Sequence, residues 1–246
     1  MTAVHPYPPA YLLERPGVLF TTLGGFEAYV NARPAVWESG GTGTWQLRRS
    51  VAFLIARRGR YVRESQLMAA AGGHHASTRS HVWNGLVRLL TGWKMGGALK
   101  RLRRALMLQR HPSWHTDFDA LEQLKAQAGA ASAAGDAALA VELLEKAAVL
   151  CRGEFLPIFD DPAHQLVGEG GHWLNVQKKV LCALVRAHWQ LPGEDHQDRA
   201  LSVAGLALEF DSASPPLYRL AEEAARRASN MELAQRYADR ARQLEQ

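Results

Sequence analysis

Residues 78–91 read Thr-Arg-Ser-His-Val-Trp-Asn-Gly-Leu-Val-Arg-Leu-Leu-Thr, and this stretch decides how the first half of the chain is expected to fold. At 100° per residue, Val82, Leu86 and Leu89 form one apolar line, which predicts a helix over residues 79–90 that packs against a core. The opposite face is short, polar and carries a cation; it consists of Ser80, His81, Asn84, Val87, Arg88 and Thr91.

This polar face allows two interpretations. Short hydrogen-bonding side chains and an arginine suit a helix inserted in the major groove of DNA. A helix whose polar side simply faces water would show a similar pattern. The neighbouring segments decide between the two.

Two further helices precede this stretch, and β-strands precede them. An apolar stripe with spacing of three and four residues begins at Leu47 and predicts a helix that ends at Gly59. A shorter helix is expected over residues 63–70, so the order is that of a helix-turn-helix. Residues 18–30 are rich in β-formers, and we expect a turn at residues 31–34 with a return strand near Val36 and Trp37.

The segment that follows, residues 96–109, is basic and ambiguous. Its leucines stripe a helix, but they also fit two strands that turn at Arg103-Arg104. We favour the hairpin because Gly96-Gly97 opens the segment and Pro112 closes it. A helix over the same residues remains the alternative. Such a hairpin would be a basic wing that contacts phosphates or reaches the minor groove. The phosphate-contact candidates are Arg48, Arg49, Arg79, Lys100, Arg101, Arg103 and Arg104.

The charge is divided unevenly along the chain. Residues 1–115 contain 16 Lys and Arg against 4 Asp and Glu, a net of +12, whereas residues 116–246 contain 13 against 20, a net of −7. A segment this basic attracts a polyanion, and counterion release from phosphates favours nucleic acid. A solvated basic surface would have the same composition.

The acidic half is expected to be helical throughout, with alanines where helices approach closely, as in tetratricopeptide-like stacking. The predicted helices cover residues 118–133, 137–150, 173–189, 198–209, 216–229 and 231–244. Such an array offers a surface to other proteins, and packing or dimerisation without a ligand explains it nearly as well.

The sequence gives little support for an enzyme, a cofactor or a metal site. His74, His75 and His81 lie near one another, but no local cysteine or carboxylate completes a ligand set. Asp160-Asp161 is followed by Pro162, which favours a turn. We expect no catalytic residues, no metal and no cofactor, and neither an export signal nor a membrane span.

At four places the chain resembles the SARP family of bacterial activators, which join a winged helix of response-regulator type to a bacterial transcriptional activator domain. They are Leu23-Gly-Gly-Phe26, residues 48–67, residues 78–90, and a junction where Trp114-His-Thr-Asp-Phe-Asp-Ala-Leu121 is followed by Arg152-Gly-Glu-Phe-Leu-Pro-Ile-Phe-Asp-Asp-Pro162. The resemblance implies promoter binding, often by paired protomers, and recruitment of RNA polymerase and its sigma factor. The chain departs from the family in having Arg103-Arg104 instead of a glycine at the wing tip.

We therefore expect a mainly α protein in which a winged helix-turn-helix with a small β-sheet is followed by a tetratricopeptide-like domain. The expected parts are a tail over residues 1–17, a DNA-binding domain over 18–113 and an activator domain over 114–246. The expected function is sequence-specific regulation of transcription, with activation favoured. We expect a homodimer that binds double-stranded DNA in the cytoplasm, at the nucleoid. The alternative is a helical-repeat adaptor that binds an acidic protein or RNA. The operator, the direction of regulation, any effector and the oligomeric state stay open.

Overall fold

The computed structural model of the chain describes residues 7–37, 43–57, 59–72, 76–159 and 167–246, without the side chains of residues 76–81 and 167–169. The chain forms two compact units. The first unit comprises Met1–Asp119 and Glu154–Gly171, and the second comprises Ala120–Gly153 and His172–Gln246. The predicted fold class is confirmed: the protein is mainly α, with a small N-terminal sheet followed by an all-α region.

The elements alternate early in the chain and are all helical later. The strands are β1 (Val18–Thr21), β2 (Glu27–Val30), β3 (Arg33–Pro34), β4 (Val62–Arg63), β5 (Leu99–Leu102), β6 (Ala105–Leu108) and β7 (Trp114–Thr116). The helices are α1 (Ala10–Leu13), α2 (Gly43–Ala56), α3 (Glu64–Ala70), α4 (Ala76–Gly92), α5 (Asp117–Ala133), α6 (Ala137–Ala148), α7 (Val167–His188), α8 (Glu194–Phe210), α9 (Pro215–Arg227) and α10 (Met231–Leu244).

The first sheet has the order β3-β2-β1-β7, in which β1 is antiparallel to β2 and parallel to β7. Asn31 and Ala32 have φ values of 49° and 64°, the pattern of a type I′ turn, so the chain returns at once as β3. The strand predicted near Val36 and Trp37 is therefore wrong. The Trp37 ring packs instead near Trp93, with 5.0 Å between their centroids.

Strand β7 is a feature that the sequence does not predict, whereas the helix after it begins at Asp117, one residue before the predicted start. Pairing with the buried strand β1 holds these residues extended. The Asp117 carboxylate then accepts hydrogen bonds from the backbone N–H groups of Thr22, Leu23 and Phe118 at 2.8–3.0 Å. The hydroxyl groups of Thr22 and Tyr7 donate to it at 2.6 Å. Burial raises the pKa of Asp117, and the hydrogen bonds oppose that rise.

The compact units do not divide at residues 17/18 and 113/114, where the sequence predicts domain boundaries. Leu12 in α1 is fully buried, so the expected tail belongs to the first unit. The Leu156 N–H donates to the Thr22 carbonyl at 2.7 Å, and the rings of Phe118 and Phe155 meet edge-on at 5.7 Å. The first unit therefore extends to Asp119 and takes in Glu154–Gly171.

Three helices and a hairpin complete the first unit in the order that the sequence predicts. The stripe that begins at Leu47 in α2 is buried, and so are Val82, Leu86 and Leu89 of α4. Helix α4 begins at Ala76, one turn earlier than expected. Strands β5 and β6 pair as an antiparallel hairpin, and β4 joins β6. The hairpin interpretation of residues 96–109 is thus confirmed and the helical one is excluded.

The second unit is built from consecutive helices with small residues at their contacts. Val185, Ala200, Ala204, Ala221 and Ala224 form one buried cluster. Alanines at these positions let helix axes approach closely, as the sequence predicts. Among the described residues, no helix is both long and apolar enough to cross a membrane.

We expect Asp117→Asn to destabilise the first unit by at least about 2 kcal/mol, because the amide presents an NH₂ group where the carboxylate accepts from backbone N–H donors. Hydrogen exchange of the Thr22 and Leu23 amides and urea unfolding of the full chain measure this. Asp136→Asn is the matched control. Asp136 accepts from the Leu139 N–H as the N-cap of α6, a role that asparagine performs equally well. Equal losses in the two variants would contradict the assigned role of Asp117.

Candidate nucleic-acid interface

Helix α4 presents a polar face to solvent in the first unit. Asn84, Val87, Arg88 and Thr91 are exposed, on the side opposite the buried apolar line. The side chains of Ser80 and His81, expected on the same face, lie outside the described residues, although their backbone is helical. The predicted face is therefore present wherever the side chains are described.

Close packing fixes α4 in its place. A Cβ atom on Gly85 would lie 2.7 Å from a Leu47 methyl carbon, so glycine lets α2 and α4 approach at this point. At the other end, the Met95 N–H donates to the Leu90 carbonyl and the Lys94 N–H to the Thr91 carbonyl. This is the Schellman pattern that ends a helix, with Lys94 at the position that needs a positive φ, here 60°.

The β5–β6 hairpin is cationic and exposed. It turns at Arg103-Arg104, and the side chains of Lys100, Arg103 and Arg104 are exposed, as is that of Leu102. Within the described part of the chain, no ion pair is formed by Lys100, Arg103 or Arg104. Arg103 has a φ of 53°, so a cation occupies the turn position where glycine is usual.

Two of the predicted phosphate contacts are engaged inside the first unit instead. Arg49 is only 7% exposed. Its Nε donates to the Ala70 carbonyl at 2.6 Å, and its guanidinium lies over the rings of Trp45 and Phe159. Assigning Arg49 to phosphate is therefore wrong, because its guanidinium is buried in the protein.

Arg48 is committed in a similar way. Its Nη2 donates to the Phe26 carbonyl at 2.6 Å and to the Glu27 carboxylate at 2.8 Å, and its guanidinium lies near the Trp37 ring. A role as a phosphate contact would require breaking these bonds.

The sequence offers a signal for the buried position of Arg49 that was missed: Trp45 precedes it by four residues, the spacing at which helical side chains meet.

Arg101, also predicted as a phosphate contact, pairs with Glu64 at 2.8 Å and lies over the Trp83 ring at 4.9 Å from its centroid. These contacts link the hairpin to α3 and α4. The side chain of Arg79 lies outside the described residues, as do His74, His75 and the Asp160-Asp161 pair. Within the described residues there is no group of three or more His, Cys, Asp or Glu side chains placed to hold a metal ion.

The second unit has a titratable cluster around one buried histidine that the sequence did not reveal. The His188 side chain is 1% exposed, and its Nε2 lies 3.8 Å from a Glu145 carboxylate oxygen that also pairs with Arg199 at 3.1 Å. Its Nδ1 lies 3.1 Å from Nδ1 of His196, so one ring donates and the other accepts. Burial lowers the pKa of His188; His196 and Arg199 lower it further, and Glu145 opposes them.

Comparison with known proteins supports the fold alone. No model of a protein family matches the chain, and no characterised protein matches its sequence. Among solved structures, EmbR of Mycobacterium tuberculosis in complex with a low-affinity phosphopeptide matches with a TM-score of 0.72 and 19% sequence identity. The match covers 91% of this chain and 58% of the EmbR chain, so this chain spans little more than half of EmbR. The likeness shows that this chain shares its fold with the matched part of EmbR.

Glycine substitutions at the two residues of the hairpin tip, Arg103 and Arg104, should change the stability of the protein differently. Arg103→Gly should stabilise the protein by about 0.5–1 kcal/mol, because it removes the cost of a positive φ from a residue that has a Cβ. Arg104→Gly removes the same charge where φ is not positive, and should be neutral or destabilising by up to about 1 kcal/mol. Urea unfolding of both variants measures the difference. Stabilisation by Arg104→Gly alone would contradict the turn geometry.

The lowered pKa of His188 predicts a loss of stability in acid. A base whose pKa is depressed by folding binds protons more readily when unfolded, so the stability should fall as the pH drops below about 6.5 and level off below the folded pKa. Chemical unfolding of the wild type and of His188→Asn between pH 7.5 and 5 measures this. His115, whose pKa burial also lowers, contributes to both proteins. An identical pH dependence in the two proteins would contradict the assignment.

Proposed function

We propose that the chain is a DNA-binding transcription regulator of the SARP kind. In this proposal the first unit is a winged helix, with α4 in the major groove and the β5–β6 hairpin as the wing. The base-facing side chains are Ser80, His81, Asn84, Val87, Arg88 and Thr91. The observation that carries the proposal is the exposed polar face of α4 next to an exposed hairpin whose tip is cationic.

The electrostatics of the first unit favour this role. The net charge of +12 over residues 1–115 provides long-range attraction to duplex DNA. Lys100, Arg103 and Arg104 are the proposed phosphate contacts, together with Arg79. Arg48, Arg49 and Arg101 are left out, because their guanidinium groups bind protein atoms.

Backbone strain supports the same surface. Lys94 and Arg103 both adopt a positive φ, which costs a residue with a Cβ about 1 kcal/mol. Each stands at a position that glycine ordinarily occupies. A cation retained at such a cost fits a surface that is used to bind an anion.

The second unit is proposed to contact RNA polymerase, its sigma factor or a second protomer. Its described arginines are largely neutralised along the helices. Arg226 pairs with Glu222, Arg227 with Glu223, and Arg236 with Glu232, each at four-residue spacing. Because these arginines are paired with carboxylates, the surface attracts phosphates weakly and is better suited to binding protein. In this proposal, DNA binding belongs to the first unit and partner binding to the second.

The proposal predicts two classes of variant. Asn84→Ala and Arg88→Ala should weaken binding to a specific site by about tenfold and leave binding to random DNA nearly unchanged, because base contacts discriminate by about 1–3 kcal/mol. Lys100→Ala and Arg104→Ala should weaken both kinds of binding alike, and each should reduce the salt slope by about 0.9. A duplex recovered by selection on the purified protein, with its scrambled counterpart, serves in fluorescence anisotropy.

Lys179→Ala is the charge-matched control, since it removes an exposed cation from the second unit. It should change neither the affinity nor the salt slope. If all five variants lose affinity equally, the division between base and phosphate contacts fails. If RNA of equal length competes as well as duplex DNA, or if the wild type retains no DNA at low salt, the helical-repeat adaptor takes its place.

A further inference from the structure

A charged side chain of the hairpin, Arg101 on β5, contacts two helices of the first unit. Its Nη2 lies 2.8 Å from a carboxylate oxygen of Glu64, the first residue of α3. Its guanidinium carbon lies 4.9 Å from the centroid of the Trp83 ring on α4. One residue of the hairpin therefore contacts both helices that flank it.

Glu64 holds the hairpin a second time through its backbone. Its N–H donates to the Arg104 carbonyl at 2.9 Å, at the hairpin turn. Its side chain is only 12% exposed, whereas that of Arg101 is 48% exposed. Glu64 is also the single acidic residue between Glu38 and Asp117 in a strongly basic segment. A carboxylate at this position lowers the attraction of the segment for a polyanion. We therefore assign Glu64 a structural role.

The hairpin is held in the core through β6, where Leu106 and Leu108 are buried, whereas β5 is largely exposed. Its paired strands are four residues long, and β4 adds two further residue pairs. A two-stranded hairpin is marginally stable without packing on a third element. A small cleft is lined by Arg101, Glu64 and Trp83 together with the buried side chains of Leu67, Met68, Val82 and Leu106.

We propose that Arg101, Glu64 and Trp83 form a clamp that fixes the orientation of the hairpin relative to the exposed face of α4. Arg101 is a positioning residue and makes no phosphate contact. This inference rests on the proposed function, in which the hairpin and α4 bind one duplex together. The clamp sets their relative geometry before DNA arrives, so less ordering is needed on binding.

Glu64→Gln gives the sharpest test, because the two roles of Arg101 predict opposite signs. The substitution raises the net charge of the protein by one unit and removes the carboxylate that pairs with Arg101. If Arg101 bound phosphate, DNA binding would tighten; with the clamp, it weakens by about three- to tenfold despite the added charge. Glu27→Gln is the matched control, since Glu27 pairs with Arg48 and not with the hairpin. It should leave binding unchanged or slightly tighter.

Arg101→Ala and the double variant complete the cycle. The clamp predicts that the double variant binds no more weakly than either single variant, and that the salt slope stays at its wild-type value. Arg103→Ala, a proposed phosphate contact, should reduce the slope by about 0.9. The clamp would be overturned if the losses of DNA affinity were additive in the double variant and Arg101→Ala reduced the salt slope. Tighter DNA binding by Glu64→Gln would also overturn it. Arg101→Lys, which keeps the charge but not the planar stacking group, should resemble Arg101→Ala.

Hydrogen exchange separates this inference from the proposed function. Amides of residues 99–108 should exchange faster in Glu64→Gln than in the wild type, with no change in Glu27→Gln. If the wild type binds no DNA while exchange still rises, the clamp stands and the proposed function fails. If exchange over residues 99–108 is unchanged, the clamp fails whatever the DNA result.

Discussion

The buried carboxylate of Asp117 is the constraint on which the first unit depends. It accepts hydrogen bonds from Tyr7, from the end of β1 at Thr22 and Leu23, and from the start of α5 at Phe118. A buried carboxylate is costly unless donors surround it, so the arrangement of these three chain segments is narrowly defined. That arrangement sets β1 beside β7 and places the sheet under the helices.

The sheet in turn supports the candidate interface. Phe20 in β1 packs near Trp93 just after α4, with 6.0 Å between ring centroids, and Trp37 meets Trp93 from another side. Gly85 brings the middle of α4 close to α2. The exposed face of α4 is thus carried on a rigid frame, and the clamp ties the hairpin to the same frame. Rigid presentation of a helix and a cationic hairpin is what readout of a duplex requires.

The parts of the fold that the sequence predicts are those set by local patterns. The apolar line through Val82, Leu86 and Leu89 is periodic within one helix, and the glycines and proline around residues 96–112 frame a hairpin. Strand β7 escapes prediction because its extended state comes from pairing with β1, nearly a hundred residues away. The arginines are the hardest case: Arg49 and Arg103 are chemically identical, and apart from the nearby Trp45 ring the groups that hold Arg49 inside, the Ala70 carbonyl and the Phe159 ring, are distant in sequence. The sequence does contain a signal for the clamp, because Glu64 is an isolated acidic residue in a strongly basic segment.

Footprinting of the purified, full chain on genomic DNA fragments tests the central claim most directly. The account predicts discrete protected sites, with major-groove protection from α4 and flanking backbone protection from the hairpin, and an affinity that falls steeply as salt rises. Retention of no fragment at low salt, or uniform protection without discrete sites, would contradict it.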